Sequence, residues 1–326
     1  MQLVVEKTNK IKTKLTPVRY PGGKSNALKY LDGHLIKDFA EYREPFFGGG
    51  SVGLYLMQIN KDATYWINDL FYPVYCFWKV LYEQPETLVE HLLSKRLSYD
   101  IKDDIIPKRG VTSIGAEKWG RGLHTYCRES IQKTISEKDI FQTACYWYIL
   151  NKTSYSGMAM IGSYAPLAWD QNFTENCIKN LPKTSILMHS VKNVKITNLD
   201  YSELLTPEGE NVFVFLDPPY KIPHNLYGKD GDMHETFDHE LFTSKVKECR
   251  HNWMITYNQD ELIEKWFSDY RKISWTLTYT MKAAKRNDDE KADIKMKYEE
   301  GKEPEKTGKK GKELLILNYD NIAQER

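Results

Sequence analysis

The sequence predicts an α/β fold, a largely parallel sheet flanked by helices and interrupted by an inserted, mostly helical module. Three observations carry that expectation. Residues 43–47 lead into the tight turn Gly48-Gly49-Gly50-Ser51 and then an apolar stretch, the strand, turn and helix that open a nucleotide-binding α/β unit. Five consecutive apolar residues, Val212 to Leu216, stop at Asp217-Pro218-Pro219-Tyr220, the pattern of a strand covered on both faces. Between these landmarks, residues 85–138 read as charged helix with no alternating strand.

The helix after the glycine turn is expected over 52–59, and a second strand over 64–67 ends at Asn68-Asp69. An apolar-aromatic helix follows over 71–80. From Pro85 the helical, charged pattern runs to about Lys138, and apolar helix returns over 139–150. Residues 151–157 then read as a polar turn, before a loop-rich segment to about Asn172. A third strand is expected at 194–197, ending near Asp200. The strand at 212–216 is followed by a helix over 240–249, a fifth strand over 253–256 and a helix over 259–270. Two late strands fit 273–280 and 314–319. Between them, 283–312 mixes Lys, Glu and Asp with Pro304 and glycines, and reads as a solvent-exposed excursion. The sheet is thus divided into an N-terminal part, 1–84, and a C-terminal part, 193–326, by an inserted region at 85–192.

A chain of 326 residues with 41% apolar content is long enough for one large domain plus a smaller inserted one. Its 46 basic and 45 acidic residues leave a net charge of +1, so local patches decide the question of a nucleic-acid partner. The five cysteines are scattered without a CxxC pair, which reads as reduced thiols and predicts neither a disulfide framework nor a zinc site. His124 and His234 stand in no metal-ligand spacing. No apolar run approaches the roughly 20 residues of a membrane span, and no stretch of signal-peptide type opens the chain. A cytoplasmic protein is expected.

Chemistry concentrates in three places. The turn Phe46-Phe47-Gly48-Gly49-Gly50-Ser51 permits close backbone approach to a ligand, and Asp69, ending the neighbouring strand, can accept hydrogen bonds from ribose hydroxyls. A nucleoside cofactor follows, but Gly48, Gly50 and Gly53 also satisfy a dinucleotide spacing, so NAD, FAD and S-adenosylmethionine all stay open. The tetrad Asp217-Pro218-Pro219-Tyr220 projects from the carboxyl end of its strand, where ligands of open α/β sheets bind. Its restricted backbone can leave a carbonyl without an intrachain donor, which a planar amino group would supply. Asp217 and the Pro218 carbonyl would take one amino hydrogen each, with Tyr220 stacked on the ring. The third place is Tyr20-Pro21-Gly22-Gly23-Lys24, which lacks P-loop spacing and would carry Lys24 toward a carboxylate such as that of a methionine moiety.

In this order the motifs resemble the Dam-like, D12 class of adenine-N6 DNA methyltransferases, from about residue 17 to 320. Gly22-Gly23-Lys24 is similar to the family's opening segment, Phe46, Gly48, Gly50 and Ser51 to its glycine motif, and Asp217 to Tyr220 to its catalytic loop. Residues 237–241 and 313–319 resemble its later helix opening and closing strand. The resemblance implies a Rossmann-like class I S-adenosylmethionine-dependent methyltransferase sheet with a helical target-recognition module in 85–192. It further implies methyl transfer to N6 of a flipped-out adenine in double-stranded DNA, with no metal. Cofactor contacts would fall to Tyr20, Pro21, Gly22, Gly23, Lys24, Phe46, Phe47, Gly48, Gly50, Ser51, Asp69, Asp200 and Asp217. Asp200 would meet the cofactor's adenine.

DNA contacts are expected from Lys108, Arg109, Lys118, Arg121, Arg128, Lys152 and Tyr155. Family members often carry Asn-Arg before a Ser-Gly turn, where this chain has Asn151-Lys152 before Ser156-Gly157, keeping the charge but losing the bidentate fork. The Arg-x-Asn pattern of GATC-modifying members is replaced by residues 160–166, so GATC is not assumed. Alternatives are cytosine-N4 methylation, RNA adenine methylation and a catalytically silent DNA-binding protein. A NAD-linked oxidoreductase would leave the tetrad without a role. A cognate restriction endonuclease acting separately is a candidate partner. The protein would be a monomer or weak dimer, bacterial, archaeal or phage-encoded.

Overall fold

The computed structural model describes residues 11–98, 112–113, 115–220, 237–279 and 309–320. The expected DNA contacts Lys108 and Arg109, together with His234 and most of the 283–312 excursion, lie outside the described residues.

The sheet contains β1 (Glu41–Glu44), β2 (Thr64–Asn68), β3 (Asn193–Thr197), β4 (Val212–Leu216), β5 (Asn252–Asn258), β6 (Arg271–Tyr279) and β7 (Lys309–Leu317), in the order β3-β2-β1-β4-β5-β7-β6. The first five pair in parallel, and β7 runs antiparallel between β5 and β6. This is the class I methyltransferase strand order that the resemblance implied. The direction of strand progression reverses between β1 and β4, and such a switch point opens a crevice beyond the carboxyl ends of the strands.

All five residues of β4 are buried, and their alternation divides the core. Phe213 and Phe215 join the cluster on one face, while Val212, Val214 and Leu216 join the cluster on the other. The helices are α1 (Leu28–Leu31), α2 (Ser51–Met57), α3 (Tyr72–Glu83), α4 (Pro85–Leu97), α5 (Arg121–Ser136), α6 (Ile140–Thr153), α7 (Pro166–Asn172), α8 (Glu175–Lys179), α9 (Leu181–His189), α10 (His239–Glu248) and α11 (Glu261–Trp266). Helices α5 to α9 form the inserted region between β2 and β3, with α6 packed along α3. A helix start needs acceptors for its free N–H groups, and Asp139, Thr174, Asp238 and Asp260 supply them from their side chains. None of the described helices is long and apolar enough to cross a membrane.

Several boundaries differ from the expected ones. Residues 151–153, read as a turn, are the last turn of α6, because their polar side chains are buried and partnered inside the module. Helix α7 occupies the end of the expected loop, opened by Pro166 at its first turn. Helix α11 stops at Trp266, where Phe267 turns into the core and Lys272 Nζ meets the carbonyls of Glu264, Phe267 and Ser268. Strand β7 begins at Lys309, inside the expected excursion, because Lys309 to Lys312 pair with Tyr279 to Thr276 of β6.

Buried His124 on α5 lies 2.8 Å from Thr153 Oγ1 through its Nδ1. Burial, reinforced by the charges of Arg128 and Arg121, lowers its pKa to about 4. The folded value is below the ~6.5 of an unfolded histidine, so the contribution present above that pH is lost as pH falls toward 4. The melting temperature is expected to drop across this window by more in the wild type than in His124→Gln. Equal drops would contradict the assignment.

Candidate active site

The carboxyl ends of β2, β1 and β4 lie side by side and deliver Asp69, the glycine turn and Asp217 to one crevice. The turn is held from several directions. Phe47 N–H donates to the Asn68 carbonyl at 2.9 Å, Gly50 N–H to the Phe47 carbonyl at 2.6 Å, and Trp78 Nε1 to the Gly48 carbonyl at 2.8 Å. Gly48 and Gly50 have φ of 45° and 68°, in the left-handed region that glycine enters without a Cβ clash. A Cβ at Gly48 would also stand 2.7 Å from the Tyr20 ring. Tyr20 and Gly23 close a turn by a 3.0 Å hydrogen bond, with Pro21 and positive-φ Gly22 at its centre. Ser25 and Ser51 hydroxyls meet at 2.9 Å, tying this N-terminal turn to the start of α2.

That turn aims Lys24 at Asp217. The Lys24 ammonium is 2.6 Å from Asp217 Oδ1 and 2.7 Å from Oδ2, and it donates to the Gly22 carbonyl at 2.9 Å. Thr256, buried on β5, donates its hydroxyl to Asp217 Oδ1 at 2.7 Å. The carboxylate is therefore gripped from both sides. At the other end of the tetrad, the Tyr220 hydroxyl donates to Glu313 Oε2 of β7 at 2.8 Å. The Tyr220 ring stacks near Tyr257, with centroids 5.9 Å apart, and Lys24 Nζ stands 4.8 Å from its centroid.

Two further carboxyls complete the crevice. Asp69 accepts from Gly48 N–H at 2.7 Å and Phe71 N–H at 2.9 Å, yet burial raises its pKa to about 6 against both bonds. Glu44, ending β1, accepts from Tyr42 Oη–H at 2.8 Å and Gly53 N–H at 3.0 Å. Burial pushes its carboxyl well above the usual range, opposed by the Tyr42 bond and reinforced by the charge of Asp217. Gly48 and Gly53 thus give their N–H groups to internal carboxyls, where a dinucleotide fold leaves such donors for pyrophosphate. Above about pH 6 an ionised Asp69 adds a negative charge to the crevice, which suits S-adenosylmethionine with its sulfonium and ammonium. Two bonds also leave an ionised Asp69 free lone pairs for ribose hydroxyls.

The remaining expected cofactor residues divide. The Phe46 ring stacks on Tyr201, 5.5 Å between centroids, and packs on Phe237 and Phe242 at the rim. Phe47 points the other way, into the core against Trp78. Exposed Asp200 caps the turn at Tyr201–Leu204 through Ser202. Among the expected DNA contacts, Lys118, Arg121 and Tyr155 are exposed on the inserted region, with Arg121 paired to Glu117 at 3.1 Å. Arg128 instead turns inward to the carbonyls of Ala159 and Gly162. Lys152 is buried with its ammonium 5.4 Å from the Tyr148 ring centroid, and burial lowers its pKa to about 8. The sequence reading missed Glu44, Thr256, Tyr257 and Glu313. The available signal was a carboxylate directly flanking an apolar run, as Glu313 precedes Leu314 to Leu317.

Because Asp69 accepts hydrogen bonds best when ionised, binding of S-adenosylmethionine should weaken as pH falls through about 6. Calorimetric titration from pH 8 to 5 checks this. Asp69→Asn should bind more weakly and lose most of the pH dependence, whereas a pH profile unchanged by the substitution would remove Asp69 from the cofactor site.

The sequence profile of the D12 class N6 adenine-specific DNA methyltransferases matches residues 20–281. The chain is also 27% identical over 216 residues to the type II methyltransferase M.MjaIII of Methanocaldococcus jannaschii, a span covering 63% of this chain and 68% of that protein. With its crevice built from Lys24, the glycine turn, Asp69 and the Asp217 tetrad, the chain belongs to the D12 class of S-adenosylmethionine-dependent, site-specific DNA adenine-N6 methyltransferases.

Proposed function

We propose that Asp217 and the Pro218 carbonyl accept the two hydrogens of the target amino group while Tyr220 stacks on the adenine. The observation that carries this is the grip of Lys24 and Thr256 on the Asp217 carboxylate at the switch point of the sheet. An exocyclic amino nitrogen is a poor nucleophile because its lone pair is delocalised into the ring. Two fixed acceptors favour the pyramidal geometry and stabilise positive charge developing on nitrogen. S-adenosylmethionine supplies the electrophilic methyl group. Asp69 would hold its ribose, the glycine turn would allow its close approach, and the Phe46 and Tyr201 rim would flank its base. The methylated nitrogen is acidic enough to lose its proton without a strong base, so Asp217 serves as an acceptor and an orienting group.

We assign target recognition to the inserted region within 85–192. In duplex DNA the adenine must leave the stack to reach Tyr220. Exposed Lys118 and Arg121 suit phosphate contact and Tyr155 suits stacking, while Arg128 and Lys152, occupied inside the module, are set aside as phosphate ligands. M.MjaIII is named a type II methyltransferase, which favours a role beside a separately acting restriction endonuclease. A monomer or weak dimer in the cytoplasm fits that role.

The test is transfer of labelled methyl groups into unmethylated genomic DNA, with identification and mapping of the modified base. N6-methyladenine in a single sequence context is expected. Loss of one transition-state contact costs about 10²–10³-fold, so Asp217→Ala should fall at least that far at saturating cofactor, and unchanged turnover would contradict the assignment. Lys118→Ala should weaken DNA binding at all sequences alike and reduce the slope of log K against log salt by about 1. An unchanged slope would remove Lys118 from the phosphate contacts.

A further inference from the structure

Glu313 opens the buried stretch of β7, in register with Asn258 of β5 and Trp275 of β6, and is 2% exposed. A carboxyl group is a costly choice in a sheet interior unless a donor meets it. Tyr220 provides that donor from the catalytic loop, at 2.8 Å. The hydroxyl lies on the long axis of the ring, so this bond fixes where the far end of the ring sits, while stacking with Tyr257 at 25° sets its plane.

The anchoring has a common reference. Asp217 is tied to β5 through Thr256, Tyr220 is tied to β7 through Glu313, and these strands pair Thr256 with Leu315 and Asn258 with Glu313. With a side-chain period of two, Thr256 and Glu313 fall on the same face of one ladder. The group that holds the amino nitrogen and the ring that holds the base are therefore located against a single rigid element. Near-attack geometry demands this, since small misplacements of the reacting atoms are expensive in rate.

We infer that Glu313 is a positioning residue for methyl transfer, fixing where the Tyr220 ring sits in the crevice and through it the location of the flipped adenine. The inference rests on the proposed stacking role of Tyr220. Its action runs through the tyrosine hydroxyl, so removing either partner removes the same interaction.

The experiment is single-turnover methyl transfer at saturating cofactor, alongside the fluorescence of a duplex carrying 2-aminopurine at the target position. Glu313→Gln keeps an acceptor and should stay within about threefold of wild type. Glu313→Leu and Tyr220→Phe should each slow transfer roughly tenfold, with cofactor affinity little changed. Tyr220→Phe should also lower the melting temperature, because it strands the buried carboxyl. The double variant should be no slower than the worse single one. Effects that multiply, to roughly a hundredfold in the double variant, would overturn the inference. So would a large loss in Glu313→Gln equal to that in Glu313→Leu. Tyr220→Leu separates the two layers: if it slows transfer while Glu313→Leu does not, the stacking role stands and the role of Glu313 falls. If Tyr220→Leu changes neither rate nor fluorescence, the stacking role itself fails.

Discussion

The contact between Lys24 and Asp217 is the constraint around which the crevice is organised. It joins residues 193 positions apart in the sequence, and both are shielded from solvent, with side chains 7% and 21% exposed. An ion pair this sheltered is held less by its own Coulomb energy than by the cost of separating it. Removing one partner of a buried pair typically costs about 3–5 kcal/mol, because the other charge is left stranded. Asp217 also stands among Glu44, Asp69 and Tyr42, whose carboxyl and phenol groups are all pushed toward their neutral forms by burial. Without Lys24, the Asp217 carboxylate would stand among these acids with no counter-charge.

The pair also explains why an N-terminal segment belongs to the site at all. The 20–23 turn is short, and its direction is fixed by Pro21 and Gly22 and by packing of Tyr20 over the glycine turn. Just before it, Arg19 is locked to the inserted region. Asn151, buried at the end of α6, accepts from the Arg19 N–H at 3.0 Å and donates to the carbonyls of Arg19 at 2.6 Å and Gly157 at 3.0 Å. The Arg19 side chain donates to the Ser154 carbonyl at 3.0 Å. The inserted region and the crevice are therefore linked through residues 19–24, with hydrogen bonds tying Arg19 to Asn151 and Ser154 and the ion pair tying Lys24 to Asp217.

Much of this was legible in the sequence because strands announce themselves where burial is two-sided. Val212 to Leu216 has no polar residue to blur its ends, and the expected bounds are those observed. The glycine turn and Asp69 were legible for a similar reason, since few other residue types can occupy a positive-φ turn or end a core strand on a carboxylate. Asn151 and Lys152 misled because their polarity suggests a turn, and nothing local reveals that the tertiary structure satisfies an amide and shelters an ammonium inside a helix. Partners from distant strands, Thr256 and Glu313, were out of reach because cross-sheet register is a property of the folded chain. Lys24 was placed near a carboxylate, but the choice between a protein carboxylate and a ligand's required coordinates.

The most direct test of the account is Lys24→Gln, measured as cofactor affinity by calorimetry and as single-turnover methyl transfer at saturating cofactor and DNA. If Lys24 acts through Asp217, the transfer rate falls at least tenfold, about 1.4 kcal/mol of transition-state stabilisation, while the dissociation constant of S-adenosylmethionine moves much less. A variant that binds the cofactor poorly yet transfers at the wild-type rate once saturated would place Lys24 on the cofactor's own carboxylate, and would contradict the ion pair as the organiser of the site.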